Sequence, residues 1–287
     1  MRRAIIDVAR VAAVLFLLSG VARADDVADV KASEVAFNAA QNAGNIDGMF
    51  KYLLPGRTTS GVMIELYGAA DASSQPTGAV GLLARVDHLV YATPNLAIGV
   101  EKIQRLLGIQ ATPGGQHPGA GTRNALIALG EATYLEIIGP DLEQPKPAGP
   151  RRFGIDDLAA PRLVTWAAKG SNLEQLTSEA LRTGIQLGDV TPGSRRNPQG
   201  ALLTWRITLT NLADGIVPFF IDWGETPHPA RTAARGASLI ELRAEHPDAE
   251  RVRKLLNQIG LELPVKQGQE PALIATITSP RGRVELR

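Results

Sequence analysis

Along the last two thirds of the chain, apolar residues occur first in a continuous run and then at intervals of three or four positions, and this sequence of two patterns occurs three times. Each time, a strongly apolar run typical of a buried strand precedes a stretch with apolar residues every three or four positions, which predicts an amphipathic helix. The predicted strands cover residues 86–92, 162–168 and 238–244, and the predicted helices cover 96–108, 173–184 and 249–260. The three stretches therefore read as an internal repeat.

Each predicted helix ends at a glycine, which favours the left-handed backbone of a helix C-cap. These glycines are Gly108, Gly184 and Gly260; each lies 21 residues after the second residue of its strand, and the strands begin 76 residues apart. A further strand is expected directly after each glycine, at Ile109, Ile185 and Leu261. Other strands are predicted at 124–129, 133–139, 202–209, 217–224, 272–278 and 283–286. The repeated order β-α-β-β-β predicts an α+β fold.

The first 82 residues have a different pattern. Two arginines precede an eight-residue apolar run at 11–18, and small residues flank Arg23 before Asp25. This is typical of a signal peptide spanning residues 1–24, so we expect a periplasmic or secreted protein; an uncleaved amphipathic helix is the alternative. The run is too short for a stable membrane anchor, which takes about 20 residues. Residues 25–68 predict a short helical segment, and the breaker-rich stretch 69–82 predicts a linker.

Composition narrows the classes of function. Thirty Lys and Arg against 29 Asp and Glu leave a formal net charge of +1, which provides no field that would attract nucleic acid or an anionic membrane. An aromatic content of 5% disfavours a base-stacking surface. The chain has no cysteine, so disulfides, thiolate nucleophiles and thiolate metal sites are excluded. We therefore expect a small-molecule ligand or substrate handled by oxygen and nitrogen groups.

Four local runs resemble the glyoxalase-like branch of the vicinal-oxygen-chelate superfamily. They are VDHLVYA at 86–92, GGQHPGAGTRNAL at 114–126, YLEIIGP at 134–140 and VPFFIDWG at 217–224. The resemblance implies a domain over residues 83–225 in which two βαβββ modules curl into a cup of mixed sheet with helices outside. Residues 226–287 would form a third βαβββ-like module. Residues 34–56 show a truncated resemblance to the opening helices of the SnoaL-like family.

The resemblance also implies a metal site, because ligands in this superfamily lie on the first and fourth strands of each module. In the first module these positions are His88 and Glu136. In the second module the ligand position on the first strand is occupied by Val164, which cannot bind a metal. The fourth strand of that module offers Asp222. The implied site is a divalent ion (Zn, Ni, Mn or Fe) held by His88, Glu136 and Asp222. Glu136 or Asp222 would be the catalytic base.

Further candidates contact the substrate rather than a metal. They are His117, Arg123, Asn124 and Arg206, of which an arginine could hold a carboxylate through two parallel hydrogen bonds. His117, His228 and His246 each precede a proline, which favours loop positions, and His117 is the one expected to line the cup. The alternatives are structural: His88 as a hydrogen-bonded core residue, and Glu136 as the partner of Arg123 or Arg206.

Two functions remain open from the sequence. The first is an exported, metal-dependent lyase, isomerase or dioxygenase that acts on a small oxygenated molecule. The alternative is a metal-free protein that binds or sequesters a small molecule in the same cup, which Val164 favours. The third module would pack either within the chain or across a homodimer.

Overall fold

The structure is a computed structural model that describes residues 77–287. The expected signal peptide, the short helical segment and most of the expected linker lie outside these residues. Helix α1 (Thr77–Arg85) begins within the stretch expected as a linker, and its Leu82 is buried in the core. No helix in the described part of the chain combines the length and the apolar character that a membrane crossing requires.

An eight-stranded mixed sheet forms the centre of the fold. The first module consists of β1 (Val86–Ala92), α2 (Leu96–Leu107), β2 (Thr112–His117), β3 (Thr122–Gly130) and β4 (Thr133–Pro140). The second consists of β5 (Arg162–Lys169), α3 (Leu173–Arg182), β6 (Thr191–Arg196), β7 (Leu202–Ile207) and β8 (Phe219–Asp222). The strand order is β2-β3-β4-β1-β5-β8-β7-β6. The predicted α+β class and the repeated βαβββ modules are confirmed.

The sheet curls into a nearly closed cup because its two edge strands approach each other. In each module the first strand pairs in parallel with the fourth, and antiparallel pairing of β1 with β5 joins the modules. At the far edges, Arg195 Nη1 on β6 donates a hydrogen bond to the Gly114 carbonyl on β2 at 2.5 Å. A Cβ atom at Gly115 would lie only 2.2 Å from the Arg196 carbonyl oxygen. The edges can therefore meet only where residue 115 has no side chain.

Strand alternation divides the side chains between the two faces of the cup. Leu135 and Ile137 on β4 point outward into a core shared with helices α2 and α3, whereas Ile138 points into the cup. The same alternation sends Trp166 outward and Ala167 inward on β5. The inner face is thus free to carry a site.

The third module has the predicted element order but a different sheet. It contains β9 (Ser238–His246), α4 (Ala249–Gln258), β10 (Val265–Gln267), β11 (Ala272–Ser279) and β12 (Gly282–Leu286). The strands form a separate four-stranded sheet in the order β10-β9-β11-β12. Strand β9 pairs with the second and third strands of its module and not with the fourth. Because Leu242 and Ile277 share one core with Trp166, this sheet packs on the outside of the cup.

The helix ends are as predicted, but the strands after them are not. Gly108, Gly184 and Gly260 have φ angles of 72°, 86° and 72°, which confirms the left-handed conformation. The residues that follow, Ile109, Ile185 and Leu261, are buried in the core, yet the next strands begin only at Thr112, Thr191 and Val265. These apolar residues anchor the turn after the C-cap, and such a contact commonly accompanies a left-handed helix end.

Candidate functional site

The inside of the cup holds a cavity of about 700 Å³. This volume is in the range of small-molecule sites. Its charged and polar lining includes His88, His117, Glu136 and Arg195, and its aromatic lining consists of Tyr134, Phe153, Trp205, Phe219 and Trp223. Both modules contribute to the wall.

A β-bulge in strand β1 places Asp87 beside His88. The pairing with β5 shifts between Val86 and His88, so that Asp87 is the extra residue in the strand. Consecutive side chains normally point to opposite faces, and a bulge locally changes this alternation. Here the Asp87 carboxylate accepts a hydrogen bond from His88 Nδ1 at 2.7 Å. The bonded Nδ1 carries the proton, so the Nε2 lone pair of neutral His88 is directed away from Asp87.

Asp87 is a buried carboxylate surrounded by hydrogen-bond donors. It is 1% exposed and accepts from Trp223 Nε1 at 3.2 Å and from His228 Nε2 at 3.2 Å, in addition to His88. The backbone N–H of Ala230 donates to His228 Nδ1, which leaves the His228 proton on Nε2. Burial alone would raise the pKa of Asp87, but the hydrogen bonds from His228 and His88, and the charges that these imidazoles carry once protonated in acid, outweigh it and hold the pKa at about 2. Asp87 is therefore a carboxylate at any physiological pH.

Glu136 faces His88 from the neighbouring strand β4. Its Oε2 atom lies 3.8 Å from His88 Nε2, while its Oε1 atom accepts a hydrogen bond from Asn124 Nδ2 at 2.5 Å. The expected structural pairing of Glu136 with Arg123 or Arg206 does not occur. Arg123 pairs with Asp141 and Glu143 instead. One carboxylate oxygen of Glu136 is thus fixed, and the other faces an imidazole across a gap too long for a direct hydrogen bond.

His117 completes this cluster as a neutral imidazole. Its Nδ1 atom lies 3.0 Å from the Thr122 hydroxyl, and its Nε2 atom lies 3.4 Å from Asn124 Nδ2 and 3.9 Å from Glu136 Oε1. Burial lowers the pKa of His117, although the charge of Glu136 opposes the shift. The Asn124 amide donates toward both His117 and Glu136, so His117 Nε2 is an acceptor.

The expectation that the three histidines before proline lie in loops is wrong for two of them. His117 is the last residue of β2 and His246 is the last residue of β9, whereas His228 lies in the loop after the second module. The proline ring ends strand pairing at the next position, so these histidines still occupy paired strand ends.

The donor set does not fit the three-ligand metal site that the resemblance implies. Asp222 lies at the cavity wall, but it accepts from Arg206 Nη2 at 3.1 Å and from the Gly224 N–H at 2.9 Å. Among residues 77–287 there is no group of three or more His, Asp or Glu side chains that could hold a metal ion. Of the implied ligands, His88 and Glu136 remain, and the nearby His117 Nε2 faces the Asn124 amide instead. Two donors are one fewer than the three protein ligands of a catalytic zinc site.

The two arginines expected to bind the substrate pair with carboxylates instead. The Asn124 amide turns toward His117 and Glu136, whereas Arg123 lines a second depression and pairs with Asp141 and Glu143. Arg206 lines the cavity rim but is engaged by Glu174 at 2.6 Å as well as by Asp222. Neither guanidinium is therefore available inside the cup.

The aromatic wall is built mainly by the second module. Trp205 and Trp223 contact each other with ring centroids 5.4 Å apart, and Phe219 lies edge-on to His88 at 5.5 Å. Tyr134 stacks on His88 with a centroid distance of 4.6 Å. Trp166 and Phe220 are in the outer core because their neighbours Ala167 and Phe219 point inward.

Several residues of the site escape sequence reasoning. Asp87 adjoins His88 in a strand and so would be expected on the other face, because nothing local marks the bulge. His228 belongs to a loop 140 positions after His88, and only the fold brings it to Asp87. Arg195 lies in the polar strand TPGSRR next to Arg196, and no motif distinguishes it from that neighbour.

Comparison with known proteins agrees with this architecture. A family model described as a glyoxalase-like domain matches residues 86–260, which is more than half of the chain. The chain belongs to the glyoxalase-like domain family. No curated protein matches the sequence. The predicted resemblance to glyoxalase-like proteins of the vicinal-oxygen-chelate superfamily is therefore confirmed.

Two solved structures illustrate the similarity. A hypothetical protein from Staphylococcus aureus is 13% identical with a TM-score of 0.52, and the match covers 66% of this chain and 90% of that one. Methylmalonyl-CoA epimerase from Mycobacterium tuberculosis is 19% identical with a TM-score of 0.34, covering 50% of this chain and 90% of that one. At 13% identity the first of these matches shows a likeness of fold alone, and one fold hosts many reactions.

Proposed function

We propose that this glyoxalase-like protein is an enzyme of the isomerase or lyase type that moves a proton on a small oxygenated substrate. The observation that carries the proposal is the pair His88 and Glu136, whose Nε2 and Oε2 atoms face each other 3.8 Å apart at the wall of the cavity. We further propose, from residues 1–24 alone, that the mature protein works in the periplasm or outside the cell.

Each member of the pair has a defined part in proton transfer. Asn124 holds Glu136 Oε1, which leaves Oε2 free to remove a proton from a carbon next to a carbonyl group. His88 Nε2 is the second proton acceptor in the same space. When it takes a proton, the Asp87 carboxylate stabilises the imidazolium through the bond to Nδ1. The group that removes the proton holds it and can return it to the same carbon or to a neighbouring atom of the substrate.

The metal-dependent form of this chemistry, including a dioxygenase, would use the same two side chains. It would need a third protein ligand, which Asp222 cannot supply while it is bound to Arg206. The position related to His88 in the second module is Val164, which packs with the hydrocarbon side chains inside the cup. The residues present thus support proton transfer by His88 and Glu136 without a resident metal.

A metal-free binding protein is the second candidate. It is favoured by the wall of the second module, where Trp205, Phe219 and Trp223 present aromatic rings to the cavity. Such a wall binds an apolar ligand whether or not chemistry follows.

Hydrogen exchange with solvent separates the two candidates. The purified protein is incubated in D₂O with hydroxyacetone, mandelate or phenylpyruvate, and loss of the proton next to the carbonyl or carboxylate carbon is followed by NMR. We expect exchange in the wild type and a loss of at least about 100-fold in Glu136→Gln and His88→Gln, since a positioned base contributes that much or more. Glu225→Gln is the matched control, because Glu225 lies at the exposed cavity rim. Wild-type exchange at the buffer rate would favour the binding protein, whereas catalysed exchange of equal rate in Glu136→Gln would refute Glu136 as the base.

A further inference from the structure

The cavity contains a buried positive charge that the proton-transfer chemistry does not use. Arg195 on β6 is 3% exposed and lines the cavity together with His88 and Glu136. Its Nη1 donates to the Gly114 carbonyl, and no other residue in the described part of the chain accepts a hydrogen bond from this guanidinium. Within residues 77–287 no carboxylate lies within 4.0 Å of it. Most of its donors are thus without a protein partner.

The other N–H groups of Arg195 are not sealed in the protein but open to the cavity, where no acceptor from the described part of the chain meets them. Removal of a charge from water is costly unless a partner of opposite charge replaces the lost hydration. Burial lowers the pKa of Arg195, and the charge of Glu136, which is more than 4.0 Å away, only opposes this shift. The bond to Gly114 holds the two sheet edges together, but it uses only one of five N–H groups and needs no charge.

We propose that Arg195 binds the carboxylate group of the substrate, so that the molecules handled in this cup are small carboxylic acids. The proposal rests on the proposed function, because it assigns the substrate class of the same site. The planar guanidinium presents parallel N–H groups that match the two oxygens of a carboxylate.

The charge balance of the cup favours a single negative charge on the ligand. Arg195 is one buried cation, while Glu136 and Asp87 already place negative charge nearby. Arg152 also lines the cavity, and partial burial lowers its pKa, but the residue as a whole is exposed, so water screens its charge far more than that of Arg195. A monoanionic carboxylate matches one buried guanidinium, whereas a doubly charged phosphate would leave an excess of negative charge.

The aromatic wall indicates the other half of the ligand. Trp205 lies on β7 opposite Gly193 of β6, two residues from Arg195, and a Cβ atom at Gly193 would lie 2.3 Å from its Nε1 atom. The indole ring therefore lies flat across the strand that carries Arg195. A carboxylic acid with a flat apolar body would place its charge on Arg195 and its body against this ring.

Binding of a matched pair of probes tests this assignment. Phenylacetate and phenylacetamide have the same shape and differ in charge, and quenching of Trp205 and Trp223 fluorescence gives their dissociation constants. We expect phenylacetate to bind at least about tenfold more tightly, because hydrogen bonds to charged groups are worth that much or more. The preference should disappear in Arg195→Met, shrink in Arg195→Lys and persist in Arg196→Met, whose residue is exposed and bonded to the Gly200 carbonyl.

Equal affinity for the two probes in the wild type, or a preference that survives in Arg195→Met, would overturn the proposal, as would binding of neither probe up to its solubility limit. The wild-type comparison stands even if an Arg195 variant fails to fold. The outcome is independent of proton transfer: a charge preference that persists in Glu136→Gln supports the carboxylate site whether or not hydrogen exchange is observed.

Discussion

Asp87 links the stability of the cup to pH, and its replacement by asparagine gives the sharpest test of the site geometry. The carboxylate accepts hydrogen bonds from His88, His228 and Trp223. An asparagine keeps one acceptor oxygen and brings an N–H group against a donor. We expect Asp87→Asn to lower the free energy of unfolding and to release His88 from its fixed orientation.

The magnitude follows from the pKa. The carboxyl group has an ordinary value of 3.8 and a value of about 2 in the folded protein, a shift of nearly two pH units. At about 1.4 kcal/mol per unit, the ionised form stabilises the fold by roughly 2 kcal/mol near neutral pH. Because the pKa is lowered on folding, this stabilisation is present in full above the unfolded-state pKa and is lost as the pH falls from about 4 to about 2.

Urea unfolding followed by tryptophan fluorescence at a series of pH values measures this effect. The difference in unfolding free energy between the wild type and Asp87→Asn should be roughly 2 kcal/mol or more at pH 6, and it should decrease as the pH falls below about 4. Asp189→Asn is the control for the same substitution at an exposed position. A difference that stays constant down to the acid transition would refute the view that Asp87 is a low-pKa carboxylate held by these donors.

Two further predictions concern the closure of the cup and the metal. Gly115→Ala should destabilise the fold by about 1–3 kcal/mol in thermal or urea unfolding, because the new Cβ collides with the Arg196 carbonyl. The control Gly130→Ala has room for the Cβ and should be nearly neutral. Similar losses of stability in both variants would show that the two sheet edges can separate freely. The wild-type protein, purified without chelators or an affinity tag, should contain no stoichiometric divalent metal by elemental analysis. One equivalent of metal that disappears in the double variant His88→Ala, Glu136→Ala would contradict the metal-free site and restore the metal-dependent enzyme.

The sequence alone determined the repeat and the fold class. Spacings of apolar residues, together with Gly108, Gly184 and Gly260, indicated three βαβββ units, because amphipathic periods and left-handed helix ends are local properties of the chain. Runs such as VDHLVYA and YLEIIGP identified the glyoxalase-like family and singled out His88 and Glu136. The structure places these two side chains on adjacent parallel strands.

Tertiary structure alone decided which side chains meet. The bulge at Asp87, the reach of His228 from a distant loop and the pairing of Asp222 with Arg206 depend on contacts between residues far apart in the chain. Strand pairing likewise gave the third module its own sheet, although its element order is the same as in the other two. The local pattern of apolar residues determines which face of a strand is buried. The partner of each side chain depends instead on strand register and on the approach of distant segments, and the spacing of residues along the chain encodes neither.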